Sequence, residues 1–243
     1  MTWHWAICFR SLTVLTACSA QLIAGGVAGN VRLADSRDSA VKKGRDFSGV
    51  VVWLTSLENP PATQPLRKHG RMLQKDKRFS PHILAIREGT TVDFPNLDPI
   101  FHNAFSNFDG QVFDVALYPP GSSKSIRFDR PGIVRVFCNI HPTMSAIIVV
   151  VDSRYFTTTG SDGSFSIPNV SPGRYAIHFF HERATPETLE HLSHRLSVGG
   201  ESVELGSVVI SEAGYLPMPH KNKYDREYPP NSDGGPGYSS PIK

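Results

Sequence analysis

Apolar residues fall in short runs along this chain, and polar turn residues part them. FSGVVVWL (47–54) is rich in valine and ends on an aromatic and a leucine, which predicts a strand. HILAI (82–86), TVDF (91–94), QVFDVAL (111–117), KSIRF (124–128), IVRVFC (133–138) and SAIIVVV (145–151) follow in close succession, separated by REGT, NLDP, YPPGSS and DRPG. None of these segments carries a helical period, so the pattern predicts an all-β sandwich or barrel. After Asp152 the pattern resumes. Asp162-Gly163 predicts a hairpin turn, VSPGRYAIHFF (170–180) a Pro-Gly turn feeding a strand, and RLSVGGESVELGSVVI (195–210) a second hairpin bent at Gly-Gly. The charged stretch 183–193 reads as a helical turn or a loop. The resulting division is a leader or linker at 29–46, a first sandwich at 47–151, a small second sandwich at 152–211, and a tail at 212–243 that is disordered or extended over a surface. NPPATQPLRKHGR (59–71) reads as a Pro-rich loop.

Composition sharpens this picture in two places. The 20 glycines and 19 prolines suit a turn-rich β chain rather than long helices. A formal net charge of +3 gives no bulk electrostatic reason to expect a nucleic-acid partner. The first 28 residues carry one charge, Arg10, then an apolar run ending in small residues, the pattern of an export signal. The run is too interrupted for a membrane span, and none is expected in the mature chain. The expected location is periplasmic or secreted. The minority alternative is a lipoprotein cut before Cys18, because Leu15-Thr16-Ala17-Cys18 has the form of a lipidation box. Cleavage near Ala28 would remove Cys8 and Cys18 and leave Cys138 as the one thiol, unable to form an internal disulfide.

The neighbours of that thiol carry the chemistry. Cys138, His141 and Met144 share one short loop between two predicted strands, each separated from the next by two residues. His102, 36 residues upstream in NLDPIFHNAFS, supplies a second imidazole that a sandwich can bring to the same end. Two imidazoles, a thiolate and a weak thioether form the trigonal set with an axial methionine that selects copper, as a mononuclear type 1 site. The sulfurs suit Cu(I), and the imidazoles also accept Cu(II). Zinc is the weaker reading, since thioether is a poor zinc ligand.

With these residues in view, the chain over 47–151 resembles the cupredoxins of the plastocyanin and amicyanin type, a Greek-key β-sandwich. The short Cys-x2-His-x2-Met loop, with Pro142 after the histidine, is most similar to amicyanin. The resemblance implies copper ligation by His102, Cys138, His141 and Met144. Asn103 would tie the His102 loop to the cysteine loop. Phe137 would be the aromatic often found just before the cysteine, and Phe94 and Asn96 the strand residue and asparagine that lead into the His102 segment. It also implies that Cys138 carries most of the electronic coupling, that His141 is the exposed edge through which electrons leave, and that Met144 tunes the potential. The region 59–82 is longer than a compact member needs. Residues 154–182 resemble the carboxypeptidase regulatory-like, transthyretin-like sandwich through Gly163-Ser164-Phe165 and Pro172-Gly173-Arg174-Tyr175. These are turn and packing residues, so they imply fold and not activity; contact with carbohydrate or protein is left open.

The functional expectation is an electron carrier serving redox protein partners, with copper-binding and sequestration, or a surface-binding module, as the alternative. No enzyme activity is expected: beyond the signal no His-x-His pair occurs, which a catalytic copper cluster would need, and no H-E-x-x-H occurs either. Docking is expected at the His141 face or at the basic loop 67–78, which holds Arg67, Lys68, Arg71, Lys75, Lys77 and Arg78 against Asp76. His82 reads as a strand residue rather than a further ligand. His178 and His181 fall on opposite faces of one strand and, with His191 and His194, read as packing or solvated groups.

Overall fold

The computed structural model describes residues 25–58, 69–107, 110–216 and 220–229. The chain opens with β1 (Gly25–Ala34), a single helical turn α1 (Ser39–Lys42) and β2 (Val51–Ser56). Ten strands follow: β3 (His69–Arg71), β4 (Leu73–Lys75), β5 (Arg78–Ser80), β6 (Ile83–Arg87), β7 (Thr90–Pro95), β8 (Phe105–Ser106), β9 (Phe113–Asp114), β10 (Ser123–Phe128), β11 (Gly132–Phe137) and β12 (Ser145–Val151). The last group is β13 (Phe156–Thr158), β14 (Ser164–Val170), β15 (Gly173–Phe180), helix α2 (Pro186–Leu192), β16 (His194–Val198) and β17 (Val203–Ser211). Among the described residues no helix is long and apolar enough to cross a membrane.

Strands β3–β12 build one sandwich. Its sheets run β10-β7-β3 and β6-β12-β11-β8-β9, with the β4-β5 hairpin beside them. Between the sheets lies a core that includes Phe94, Tyr118, Phe128, Val134, Val136, Cys138, Met144 and Ile148. The second sandwich has sheets β14-β1-β17 and β13-β2-β15-β16, closed over Val27, Val31, Leu54, Tyr175, Ile177 and Phe179. It is built from strands on both sides of the metal-loop sandwich in sequence, and the metal-loop sandwich is threaded between its second and third strands, β2 and β13.

This pairing corrects the sequence-based boundaries. Residues 29–46 are no loose leader: Asn30 to Ala34 lie in β1, which pairs parallel with β17 and antiparallel with β14. Val27 and Val31 are fully buried, and Val31 and Leu33 flank exposed Arg32, an alternation too short to read in a stretch followed by Asp35, Arg37 and Asp38. β1 starts at Gly25, so a cut near Ala28 would divide a paired strand; the rest of the expected signal, 1–24, lies outside the described residues. β2, expected to open the first sandwich, pairs instead with β13 and β15 in the second. The two expected hairpins after Asp152 are not ladders, because β13 and β14 join different sheets, as do β16 and β17. Gly163 still makes a tight turn at φ +79°, and a Cβ there would stand 2.0 Å from the Val31 carbonyl oxygen. The segment 183–193 contains α2, capped by Thr185, whose hydroxyl accepts from the Thr188 amide. A short strand, β3, occupies the end of the expected Pro-rich loop, and two more, β4 and β5, follow it.

β12 explains the continuous run SAIIVVV. Ala146, Ile148 and Val150 face the metal-loop core, while Ile147, Val149 and Val151 face a second apolar layer with Val51 and Phe180. A strand buried on both faces loses the polar alternation of a surface strand. That second layer is where the two sandwiches meet, and His82 and Glu182 bridge it at 2.6 Å.

Candidate metal centre

Two loops at one end of the metal-loop sandwich supply the site. The first follows β7. Asn96 shapes it: its side-chain amide donates to the Ile100 carbonyl at 2.8 Å, and its oxygen accepts from the Asp98 amide at 3.0 Å. His102 is held by backbone bonds to Tyr118 in both directions. The second loop joins β11 to β12, and the Cys138 amide closes its base on the Met144 carbonyl at 3.1 Å. The Met144 amide donates to the His141 carbonyl at 3.0 Å, so the loop is one tight turn.

The loops converge. The ligand atoms of His102, Cys138 and His141 all lie within 4.8 Å of one another, and all three residues are buried. Cys138 Sγ is 3.9 Å from His102 Nδ1 and 3.6 Å from His141 Nδ1. Metal–nitrogen and metal–sulfur bonds of about 2.0 and 2.3 Å, at angles between tetrahedral and trigonal, would set sulfur and nitrogen about 3.5–3.7 Å apart. The Cys138–His141 separation falls in that range and the Cys138–His102 separation is about 0.2 Å longer, so a small closure of the three donors would hold one first-row transition ion. Met144 is fully buried in the same core cluster at the loop's end. Among the described residues Cys138 is a free thiol; Cys8 and Cys18 lie outside them.

The His102 imidazole is oriented from behind. His102 Nε2 meets the Asp98 carboxylate at 2.7 Å, which leaves Nδ1 for the metal side. Asp98 is in turn clamped by the Asp76 and Lys77 amides at 2.6 and 2.9 Å. Both turn residues have φ of 54°, and their successive N–H groups form a small anion-binding concavity. Burial alone would raise the Asp98 carboxyl, but hydrogen bonds from the Lys77 amide, His102 and the Asp76 amide outweigh it and hold it below the ordinary range. Burial lowers the His102 imidazole, only partly opposed by Asp98, which favours the neutral form that ligation needs. Burial raises the Cys138 thiol, against hydrogen bonds from neighbouring amides. A cation must therefore displace its proton.

Asn103 spans the two loops: its oxygen accepts from the Asn139 amide at 2.6 Å, and its amide donates to Asp114 at 3.3 Å. Behind it, buried Gln74 donates to the Tyr118 hydroxyl at 2.6 Å, and that hydroxyl donates to the Phe94 carbonyl at 2.8 Å.

One expectation changes here: His141 is not an exposed edge, being only 6 % exposed. Of the two readings of the tail, the described residues 220–229 take the second and lie over a surface, that of the cysteine loop. The His220 ring stacks on Phe137 at 4.0 Å, and the Tyr228 hydroxyl donates to the Cys138 carbonyl at 2.8 Å. Of the basic run, Arg67 and Lys68 lie outside the described residues, and Lys77 belongs to the turn that grips Asp98. His82 does not join the centre; it bonds Glu182 and the Ser145 carbonyl. His178 stacks on Trp53, while His181 is buried against Glu212 at 2.8 Å, so these rings are apart from each other and from the centre. Asp98, Gln74, Tyr118, His220 and Tyr228 are the participants that sequence reasoning missed. Only Asp98 carried a signal, an acid four residues before a candidate ligand.

No protein-family model matches the chain, and no curated protein sequence matches it. Among solved structures the chain is similar to a copper-containing nitrite reductase from Thermus scotoductus SA-01, at 28% identity and a TM-score of 0.34, over 37% of this chain. The chain spans about a quarter of that protein's length, 24%. It is similar to a purple cupredoxin from Nitrosopumilus maritimus, at 24% identity and a TM-score of 0.31, over 34% of this chain and 99% of the other. It is also similar to an oxidised amicyanin variant, at 19% identity and a TM-score of 0.33, over 34% and 82% of the two chains.

Proposed function

We propose that this chain is an exported mononuclear type 1 copper protein that carries single electrons between redox partners. The observation that carries the reading is the convergence of His102 Nδ1, Cys138 Sγ and His141 Nδ1 from two distant loops into one buried cluster. Met144 is assigned as the weak fourth donor. Copper bound there would supply a reversible one-electron couple. The protein's part is to hold the donors still and dry. Asp98 fixes the His102 tautomer, Asn103 keeps the two loops in register, and the sandwich around Cys138 excludes water, so little has to reorganise when charge changes. With His141 covered, docking is assigned to the basic β4-β5 side, whose turn reaches His102 through Asp98.

The test is spectroscopic. Metal-free protein titrated with Cu(II) is expected to develop an intense thiolate-to-copper charge-transfer band at one equivalent. Cys138→Ser is expected to remove it while the far-ultraviolet circular dichroism stays unchanged. A colourless wild-type protein would sink the reading.

Copper holding without electron transfer is the second reading, and the burial of His141 favours it, because an electron outlet needs a solvent-facing edge. Reversible one-electron voltammetry on a millisecond timescale separates the two. The carrier cycles rapidly, and the holder does not.

A further inference from the structure

We infer that residues 220–229 form a positioning strap, which locks the two ligand-bearing loops against each other and seals the Cys138–His141 side of the centre. The proposal rests on the reading of His102, Cys138 and His141 as a metal site, but its first test does not need the metal.

The strap is fastened in a closed circuit. The Lys223 amide donates to the Asn139 side-chain oxygen at 3.0 Å, and Lys223 Nζ reaches Asp114 at 2.6 Å. Asp114 accepts from the Asn103 amide, and Asn103 accepts from the Asn139 backbone, which returns the path to its start. Asn103 and Asn139 directly follow His102 and Cys138 in sequence. One lysine thus braces the residue next to each of two candidate ligands.

Two further contacts act on the cysteine loop itself. The Tyr228 hydroxyl donates to the Cys138 carbonyl at 2.8 Å and lies 3.2 Å from His220 Nδ1. His220 Nε2 lies 2.7 Å from the Pro142 carbonyl, which fixes that nitrogen as the donor. The His220 ring stacks on Phe137 with planes 25° apart. The strap therefore binds the loop at Phe137, Cys138, Asn139 and Pro142. Its inward residues, His220, Asn222, Lys223 and Tyr228, are partly buried, while Lys221 and residues 224–227 are exposed. A segment that merely lay on the surface would not turn its polar groups onto the carbonyls of one functional loop.

The consequence is that opening the centre requires the strap to detach. A metal ion, an oxidant or a redox partner approaching from the His141 side meets the strap first.

The experiment uses full-length protein carrying His220→Ala together with Tyr228→Phe, beside His220→Phe, which keeps the stacked ring and loses the bond to Pro142. In metal-free protein under native conditions, the reaction of Cys138 with a chromogenic disulfide reagent is followed by peptide mapping. Loss of these contacts is expected to raise the Cys138 rate about tenfold in the double variant, with His220→Phe in between. Copper-loaded protein is expected to lose its ion to a chelator faster by a similar factor, with a shifted charge-transfer band. Equal Cys138 rates in wild-type and double variant would overturn the proposal even if copper binds normally. Wild-type protein that binds no copper, yet shows a protected thiol that the double variant exposes, would sink the copper reading and leave the strap standing. Should the double variant not fold, Lys223→Ala, which releases the exposed clasp on Asp114, carries the same comparison, and an unchanged rate there overturns the strap.

Discussion

Asp98 shows how much a single side chain can decide. It is a buried carboxylate with three donors, and one of them is the imidazole expected to ligate. Asp98→Asn keeps the volume but removes the charge that fixes the His102 tautomer. Copper affinity is expected to fall by about 10- to 100-fold, as for other residues directly behind a ligand, measured by competition with a chelator of known affinity. Leu97→Ala, on the exposed neighbour of the same loop, is expected to leave affinity unchanged. Cys138 and His141 were legible because their residue types are chemically rare and closely spaced. Asp98 was nearly legible, as an acid four residues from His102. Gln74 was not, because nothing local distinguishes a buried glutamine from a surface one.

At the scale of elements, β12 joins the two bodies. Its alternate side chains enter different apolar layers, so the strand is needed twice. Ile148→Ala should open a cavity in the metal-loop core and Ile147→Ala one between the sandwiches, each lowering stability by about 2–5 kcal/mol in denaturant titrations. The Ile148 change is expected to disturb the charge-transfer band as well, and the Ile147 change is not, because only Ile148 packs in the cluster with Cys138 and Met144. Gly163→Ala is expected to destabilise by a comparable amount through its collision with Val31. β1 is the element that the pattern hid. Its one clear alternation, Val31-Arg32-Leu33, is short, and its parallel partner β17 lies about 176 residues later, a distance that leaves no local trace.

At the scale of the molecule, the two sandwiches meet over an apolar layer with an ion pair at its rim. The Glu182 hydrogen bond raises the His82 imidazole despite burial; burial would raise Glu182, but its bond to His82 outweighs that and lowers it. The signs define a window. The histidine's contribution is present below its unfolded pKa of about 6.5 and is lost as pH climbs through the raised value. The glutamate's contribution is present above about 4.5 and is lost as pH drops through the lowered one. The pair therefore stabilises most between those limits. The melting temperature of wild type should exceed that of His82→Ala by more at pH 5.5 than at pH 8.5, as read by differential scanning calorimetry. Equal differences at both pH values would remove the bridge from the account.

By itself the sequence determined the β character, most strand positions from β6 to β12, and the chemistry of one loop, because period-two patterning, turn residues and metal-donor spacing are local properties. The tertiary structure decided which strands share a sheet, that the second sandwich joins β1 and β2 to strands that follow β12, and that the segment 220–229 lies across the centre. Those outcomes depend on pairing between segments far apart in the chain. Their stability comes from shared burial and from hydrogen bonds whose partners are brought together by folding alone.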